Sequence, residues 1–570
     1  MYALHEAKQQ ILTELKKAVG REFTPDIGDL TVPPNPDMGD ASFPCFGLAK
    51  GLKRPPTEIA SEIAAKIGPK GFIRSVDAAG PYVNFTFDPS ALGSAVLAQI
   101  KEKGEAYGTA EEPRGVRVLI EYANPNTHKD IHVGHLRNFF LGQSLTNLLS
   151  ANGYETVPVS YINDLGAHVA ACLWGIKHLH QGELPPKGED PVTFMGRMYA
   201  AATAKMAEDP AAKQEVSALH RELEAGTGPY RALWKKTRQW SLAAMKAVFK
   251  ELRLPLETFY YESDLIGETK AIVEQLIKRG LALHSQGAWI VDLETEGLGV
   301  NLLVKSDGTL LYNAKDLALA MRKEQDFRAQ RSLYVVDGRQ SLAMSQLFAT
   351  LRKMGKTEEL THVSYEFVTL KEGAMSSRKG TIIRYEFFRD EMIAHAREET
   401  AERHPDWAPK DVDAAARKIA FAAIRFGMLK QDPDRKIVFD MDEALSFDGC
   451  TGPYLLYSLA RIASVLRKAG RAKPSFAAAH LSALPERRLL IFLASYPEAV
   501  FDAAAQMRPS LLAQYLFDLA KRFAEFYAEV PILSDEGAEI VAQRLGLCAA
   551  TGQVLKNGLA LLGMETVKEM

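Results

Sequence analysis

Between Val116 and Ile162 the chain reads VRVLIEY, NPNTHKDIHVGH, LRNFFLGQSLTNLLSANG and YETVPVSYI. A short run rich in β-branched residues, a polar loop, a long apolar-periodic stretch stopped at Gly153 and a second β-rich run predict a strand, loop, helix and strand. Two strands joined through a helix return to the same sheet in parallel, so a helix-covered parallel sheet follows. In such sheets the ligand binds beyond the carboxyl ends of the strands, where a strand-to-helix loop meets a helix N-terminus. The loop holding His132 to His135 occupies that place.

The chain has 570 residues, several times one typical domain, with 47% hydrophobic and 25% charged residues, which excludes a peptide-sized module, a collagenous chain and a disordered one. Residues 1–110 open with an amphipathic helix and reach PYVNFTF, which alternates as a strand does, so they form an α+β domain. Residues 115–385 carry the parallel sheet, interrupted at about 175–252 by a segment rich in Ala, Lys, Glu and Met that predicts a helical insertion. After it AWIVDLE, NLLVKSDGTLLY, LYVVDGRQS and VSYEFVTL read as strands that resume the sheet. From 386 to 570 amphipathic helices dominate, giving an all-α C-terminal domain.

Lys plus Arg (69) nearly balances Asp plus Glu (71), so a polyanion would have to be met by local patches. Cys45, Cys172, Cys450 and Cys548 lie far apart without a CxxC pair, which argues against a disulfide framework or structural zinc and favours a reducing cytoplasm. No run approaches the roughly 18 apolar residues of a membrane span. A soluble, cytoplasmic protein is expected.

Two loops carry chemistry. His132-Val133-Gly134-His135 brings two imidazoles and free backbone N–H groups to one spot suited to phosphate, and Gly134 lets a flat ring lie against the backbone. Met375-Ser376-Ser377-Arg378-Lys379-Gly380 sets hydroxyls and two cations in a glycine-flanked loop able to close over a ligand and neutralise a leaving pyrophosphate. Taken alone, the first is equally a pair of ordinary loop histidines and the second a solvated basic turn.

Taken together they resemble the HIGH and KMSKS signatures of class I aminoacyl-tRNA synthetases. EYANPNTHKDIHVGHLRN, TLLYNAKDLALA, YVVDGRQ, SFDGCTGPYLLYSLARIASVLRKA and VLKNGLALLG are similar to the arginyl-tRNA synthetase family in particular, along nearly the whole chain. The resemblance implies a Rossmann-type catalytic domain, an N-terminal domain touching the tRNA elbow and a helical anticodon-binding domain. It implies ATP, with Mg²⁺ on its phosphates, L-arginine and tRNA(Arg) as substrates, and neither DNA nor membrane as partner. The reaction would be activation of arginine to arginyl-adenylate, then transfer to the 3'-terminal ribose, releasing pyrophosphate and AMP. A monomer is expected on the same ground.

Carried over residue by residue, the resemblance gives Lys129, His132, His135, Ser376, Arg378 and Lys379 catalytic roles. It puts ATP on His132, Gly134, His135, Met375, Ser376, Ser377 and Lys379. Glu121, Asn126, Tyr312, Asp316 and Gln340 are expected to hold arginine; a guanidinium calls for paired carboxylate hydrogen bonds, and Tyr312 and Asp316, four apart, share a helical face. Tyr454, Tyr457 and Arg461 share a face of a C-terminal helix and are candidate anticodon contacts, with core packing the alternative for the tyrosines. The basic stretches Arg231 to Arg253 and Arg461 to Lys473 are further tRNA candidates. The chain departs from the family pattern at Ala374, in place of the first KMSKS lysine, and at Asn163, His168 and Ala343. Ala374 and His168 keep open an alternative: a synthetase-like tRNA-binding protein that has lost catalysis.

Overall fold

The computed structural model describes residues 1–20, 23–371, 383–534, 537–567 and 569. The chain forms two compact units, one of Met1–Glu111, Ser446–Ala505 and Leu511–Met570, the other of Glu112–Leu445 and Gln506–Ser510.

In the first unit a three-stranded antiparallel sheet has Tyr82–Phe87 at its centre, flanked by Ala41–Pro44 and Ile73–Ala79. The amphipathic helix expected at the N-terminus spans Ala3–Val19 and buries Leu4, Ala7, Ile11, Leu12 and Leu15. The helix Pro89–Lys103 packs on C-terminal helices: Ser94 Oγ accepts from the Ala478 N–H at 3.0 Å, and the rings of Tyr107 and Tyr496 stack at 6.0 Å. Those helices, among them Gly452–Lys468, Leu484–Ala494 and Ala538–Leu561, form the all-α part.

The second unit is built on a five-stranded, all-parallel sheet. Its strands are β1 (Arg117–Glu121), β2 (Glu155–Ile162), β3 (Thr258–Tyr261), β4 (Arg331–Asp337) and β5 (Glu359–Tyr365), in the spatial order β5-β4-β1-β2-β3. Progression turns back between β1 and β4, and that switch point opens a crevice at the carboxyl ends of the two strands. The first crossover helix, α1 (Val133–Ala151), is buried almost all round, with Leu136, Phe139, Phe140, Leu145 and Leu148 enclosed. Each such side chain contributes about 1.5–3 kcal/mol by leaving water.

Helix α1 lies so close to the sheet that a Cβ on Gly142 would stand 2.1 Å from Tyr122 Cγ. Substituting Gly142→Ala is expected to cost at least about 1–3 kcal/mol through overpacking, read as a lowered Tm in differential scanning fluorimetry. The same helix is tied down by Arg137, 1% exposed, which donates to the carbonyls of Glu366 and Arg435 at 2.6 Å and of Asp432 at 2.8 Å.

The helical insertion lies in the β2-to-β3 crossover: Ala167–His178, Pro191–Glu208, Pro210–Glu224 and the basic helix α2 (Arg231–Glu251). Asp164, fully buried, accepts from Arg238 Nε at 2.5 Å on α2 and from the Ser263 N–H at 2.8 Å, fastening the insertion to the sheet. After it the parallel sheet resumes at TFYY, a four-residue strand too short to stand out in sequence.

Several expected strands fall elsewhere. Leu283–Ser285, Ala288–Asp292 and Val300–Val304 make a separate antiparallel sheet, so AWIVDLE and NLLVKSDGTLLY do not continue the parallel one. Short hairpin connections pair strands antiparallel, whereas entry into a parallel sheet needs a crossover. The Asp307-Gly308 turn does form, with Gly308 at φ +82°, and Leu310 bridges back to Val304 before Tyr312 starts α3 (Tyr312–Phe327). VSYEFVTL is likewise two strands: β5 ends at Tyr365, and Val368–Leu370 pairs with Ile437–Phe439 in a two-stranded sheet.

Helices Tyr385–Arg403 and Pro409–Leu429, with the chain up to Leu445, lie in the unit of the sheet, whereas sequence began the C-terminal domain at 386. Arg425 on the second of them stands 4.4 Å over the Phe140 ring of α1. The four cysteines are free, and among the described residues no helix is long and apolar enough to cross a membrane.

Candidate active site

A cavity of about 250 Å³ opens at the switch point. Its walls come from the carboxyl ends of the strands: Glu121 closes β1, Asp337 closes β4 and Tyr365 closes β5, while Tyr161 comes from β2. Tyr312 and Asp316 enter from α3, one turn apart as the sequence spacing predicts, and Asn126, Gln340 and His135 complete the surroundings. Glu121, Asn126, Tyr312, Asp316 and Gln340, spread over some 220 positions of sequence, thus line one space.

Asp316 is the least comfortable acid in it. Burial, followed by the neighbouring Glu121, pushes its carboxyl up to about 7, and the cations Lys323 and Lys315 offset this only in part. Glu121 is held on both oxygens: Lys323 Nζ donates to Oε2 at 2.5 Å and Asn124 Nδ2 to Oε1 at 2.9 Å. Tyr161, whose hydroxyl has no hydrogen-bond partner among the described residues, is driven well above the ordinary phenol value by burial and then by nearby acids.

His132 caps the N-terminus of α1 in an extended conformation, φ −131° and ψ 167°. Its N–H donates to His135 Nδ1 at 3.1 Å, so a neutral His135 carries its hydrogen on Nε2. The two rings lie 3.8 Å apart. Burial, then the His132 neighbour, lowers His135 to about 3, and burial, then Lys129, lowers His132. Both imidazoles are therefore neutral N–H donors at physiological pH. A Cβ on Gly134 would meet the His132 ring at 3.0 Å, so this glycine makes room for a protein ring, in addition to the room for a ligand ring that sequence suggests.

Lys129 is exposed, its Nζ 5.4 Å from the Tyr199 ring of the insertion. The residue before it, His128, is wholly buried, its Nε2 2.8 Å from Thr237 Oγ1 and its N–H donating to Ser241 Oγ at 2.9 Å, so the loop rests on α2. Ala374, Met375, Ser376, Ser377, Arg378 and Lys379 lie outside the described residues. The chain that follows them pairs with the HVGH loop: Val133 N–H donates to Ile383 O at 3.1 Å and Tyr385 N–H to Ile131 O at 2.9 Å. Arg384 adds an ion pair to Asp130 at 3.5 Å.

Of the departures from the family pattern, Asn163 pairs in bridge fashion with Asn126, accepts from Gly166 N–H at 3.0 Å and itself lines the cavity. His168 is held neutral, its value lowered to about 3 by burial and then Lys129, and its Nε2 has no partner among the described residues. In the C-terminal helices Arg461 donates to Tyr457 OH at 2.7 Å and stacks between the rings of Tyr457 and Tyr527, while Tyr454 contacts Phe517 at 5.7 Å. Among the described residues no group of three or more His, Cys, Asp or Glu could hold a metal ion.

Sequence reasoning passed over Asn124, Asn138, Tyr161, Tyr365 and Met344, which also line the cavity, and Lys323, which reaches Glu121. Lys323 had a signal: it follows Asp316 by seven positions, on the same face of α3.

A switch-point cavity beside an HxGH helix start defines the class I aminoacyl-tRNA synthetase fold. A family model described as tRNA synthetases class I (R), catalytic domain, matches residues 96–441. The DALR anticodon binding domain model matches 455–570, and the arginyl tRNA synthetase N terminal domain model matches 5–87. The chain is 40% identical to an arginine–tRNA ligase of Bdellovibrio bacteriovorus, over 99% of this chain and 100% of that one. It is 34% identical to an arginine–tRNA ligase of Clostridium kluyveri at the same coverage. Among solved structures the arginyl-tRNA synthetase of Thermus thermophilus matches with a TM-score of 0.80 at 28% identity, covering 99% of this chain and 100% of that one. The chain belongs to the arginine–tRNA ligase family.

Proposed function

We propose that this protein activates L-arginine with ATP to arginyl-adenylate and passes the arginyl group to the 3'-terminal ribose of tRNA(Arg). The observation that carries this reading is the convergence of Glu121, Asn126, Tyr312, Asp316 and Gln340 on one cavity beside His135. A planar guanidinium with five N–H donors fits two carboxylates and amide oxygens; an ammonium, a point charge, leaves part of such a site unsatisfied. The arginine carboxylate, at the HVGH end, attacks the α-phosphorus of ATP and pyrophosphate leaves.

His135 Nε2–H and the His132 imidazole donate to oxygens whose charge grows in that step, and they do so as neutral groups. Lys129, Ser376, Arg378 and Lys379 are assigned to the phosphates with Gly134, Met375 and Ser377, and Mg²⁺ to the phosphate oxygens with no protein ligand named. In this reading the N-terminal part (1–110) contacts tRNA, the catalytic part runs from 115 past 385 to Leu445 and the helices beyond it bind the anticodon, the protein acting as a cytoplasmic monomer. The intact HVGH start and the two acids favour ligation over a tRNA-binding protein without catalysis.

Pyrophosphate exchange with each standard amino acid, with and without tRNA, tests it: exchange with arginine alone is expected. Silence in every condition from a folded, tRNA-binding protein would support the non-catalytic reading. In the C-terminal domain Tyr457→Ala removes one wall of the Arg461 stack, and a lost base-stacking contact costs about 1–3 kcal/mol. The Kd for tRNA(Arg), by filter binding, is expected to rise about tenfold, with the KM for arginine unchanged.

A further inference from the structure

The five lining residues assigned to arginine do not include the group that holds one of them. Lys323 is 2% exposed, yet its Nζ sits 2.5 Å from Glu121 Oε2 and 3.9 Å from the centre of the Tyr334 ring. A buried ammonium is costly unless paired, and here the partner is a substrate-facing carboxylate. With Asn124 on the other oxygen, the plane of Glu121 is fixed from both sides. The second buried lysine of α3, Lys315, is engaged separately, by Glu224 at 2.7 Å and by Glu262. Asp316, between them in sequence, is raised by burial and then by Glu121, with Lys323 and Lys315 opposing through space.

We propose that Lys323 is a positioning residue for amino-acid selection: it neutralises Glu121 and locks its orientation, leaving Asp316 as the carboxylate that meets the substrate's charge. The proposal rests on the cavity being the arginine site. Without Lys323, two like charges would face one substrate cation and Glu121 could rotate to suit other geometries. With it, the pocket offers one uncompensated negative charge and one carboxylate of fixed plane, a match for a singly charged planar group.

The test is aminoacylation kinetics of Lys323→Met and Lys323→Arg beside Asp316→Asn. Lys323→Met is expected to raise the KM for arginine about tenfold or more, with the KM for ATP essentially unchanged, and Lys323→Arg to restore most of the arginine KM. An unchanged arginine KM in Lys323→Met, or arginine and ATP KM values rising together, overturns the proposal. Should Lys323→Met fail to fold, the double variant Glu121→Gln/Lys323→Met removes both buried charges. An arginine KM there equal to that of Glu121→Gln alone, at constant ATP KM, supports the assignment, since Lys323 then acts only through Glu121, and a further several-fold rise over Glu121→Gln overturns it. If Asp316→Asn raises the arginine KM while Lys323→Met does not, Lys323 alone is misassigned; if Asp316→Asn has no effect, the cavity reading falls with it.

Discussion

Replacing Asp316 by Asn is expected to lower kcat/KM for arginine by about 30-fold to several thousand-fold, almost wholly through KM. Truncating one partner of a buried charge pair costs about 2–5 kcal/mol, and Asn keeps the shape while removing the charge. A pH signature accompanies it. In the free protein the Asp316 carboxyl is raised to about 7, so below that value it holds a proton. A guanidinium pairs with the ionised form, so binding at low pH must expel that proton and affinity weakens as pH falls. The wild-type Kd for arginine should rise about tenfold per unit below that point, whereas Asp316→Asn should show no such slope. Calorimetry in buffers of different ionisation enthalpy measures the released proton directly. A wild-type Kd that is flat from pH 8 to pH 5.5 would sink the assignment.

Loss of His135 should act on the other kinetic constant. His135→Ala removes a preorganised N–H donor next to the cavity, and loss of one such donor costs about 10²–10³ in kcat, with the arginine KM held within a few-fold. Since burial lowers His135 to about 3, its imidazole should add no titration to kcat at saturating substrates between pH 8 and pH 6, unlike an ordinary histidine. Steady-state aminoacylation across that range decides it: a kcat falling with an imidazole profile would show that the HVGH histidines change charge during turnover.

HVGH stood out because four adjacent residues carry their chemistry together, and the strand before and helix after them are marked by β-branched and apolar periodicity. The order of β1, α1 and β2, the helical insertion and the all-α C-terminus follow from the same local patterns, as the positions of Arg117–Glu121 and Val133–Ala151 show. Further along, local pattern does not fix the sheet: Ala288–Asp292 is a β-rich apolar run that suits any sheet, and it joins a separate antiparallel one.

Sequence by itself determined the class of fold and the loop where phosphate chemistry belongs, because each depends on residues close together in the chain, and the family, because several local strings fall in order along nearly the whole chain. Tertiary structure decided the rest. That Thr258–Tyr261 is the edge of the parallel sheet depends on which neighbour offers free backbone groups, and four residues cannot announce that. That Glu121 is bound by Lys323 and Asp316 carries the raised carboxyl depends on burial and on charges brought together from β1 and α3, with Asp316 195 and Lys323 202 positions beyond Glu121. A pKa and a buried ion pair are properties of a site's surroundings, and the surroundings exist only once the chain has folded.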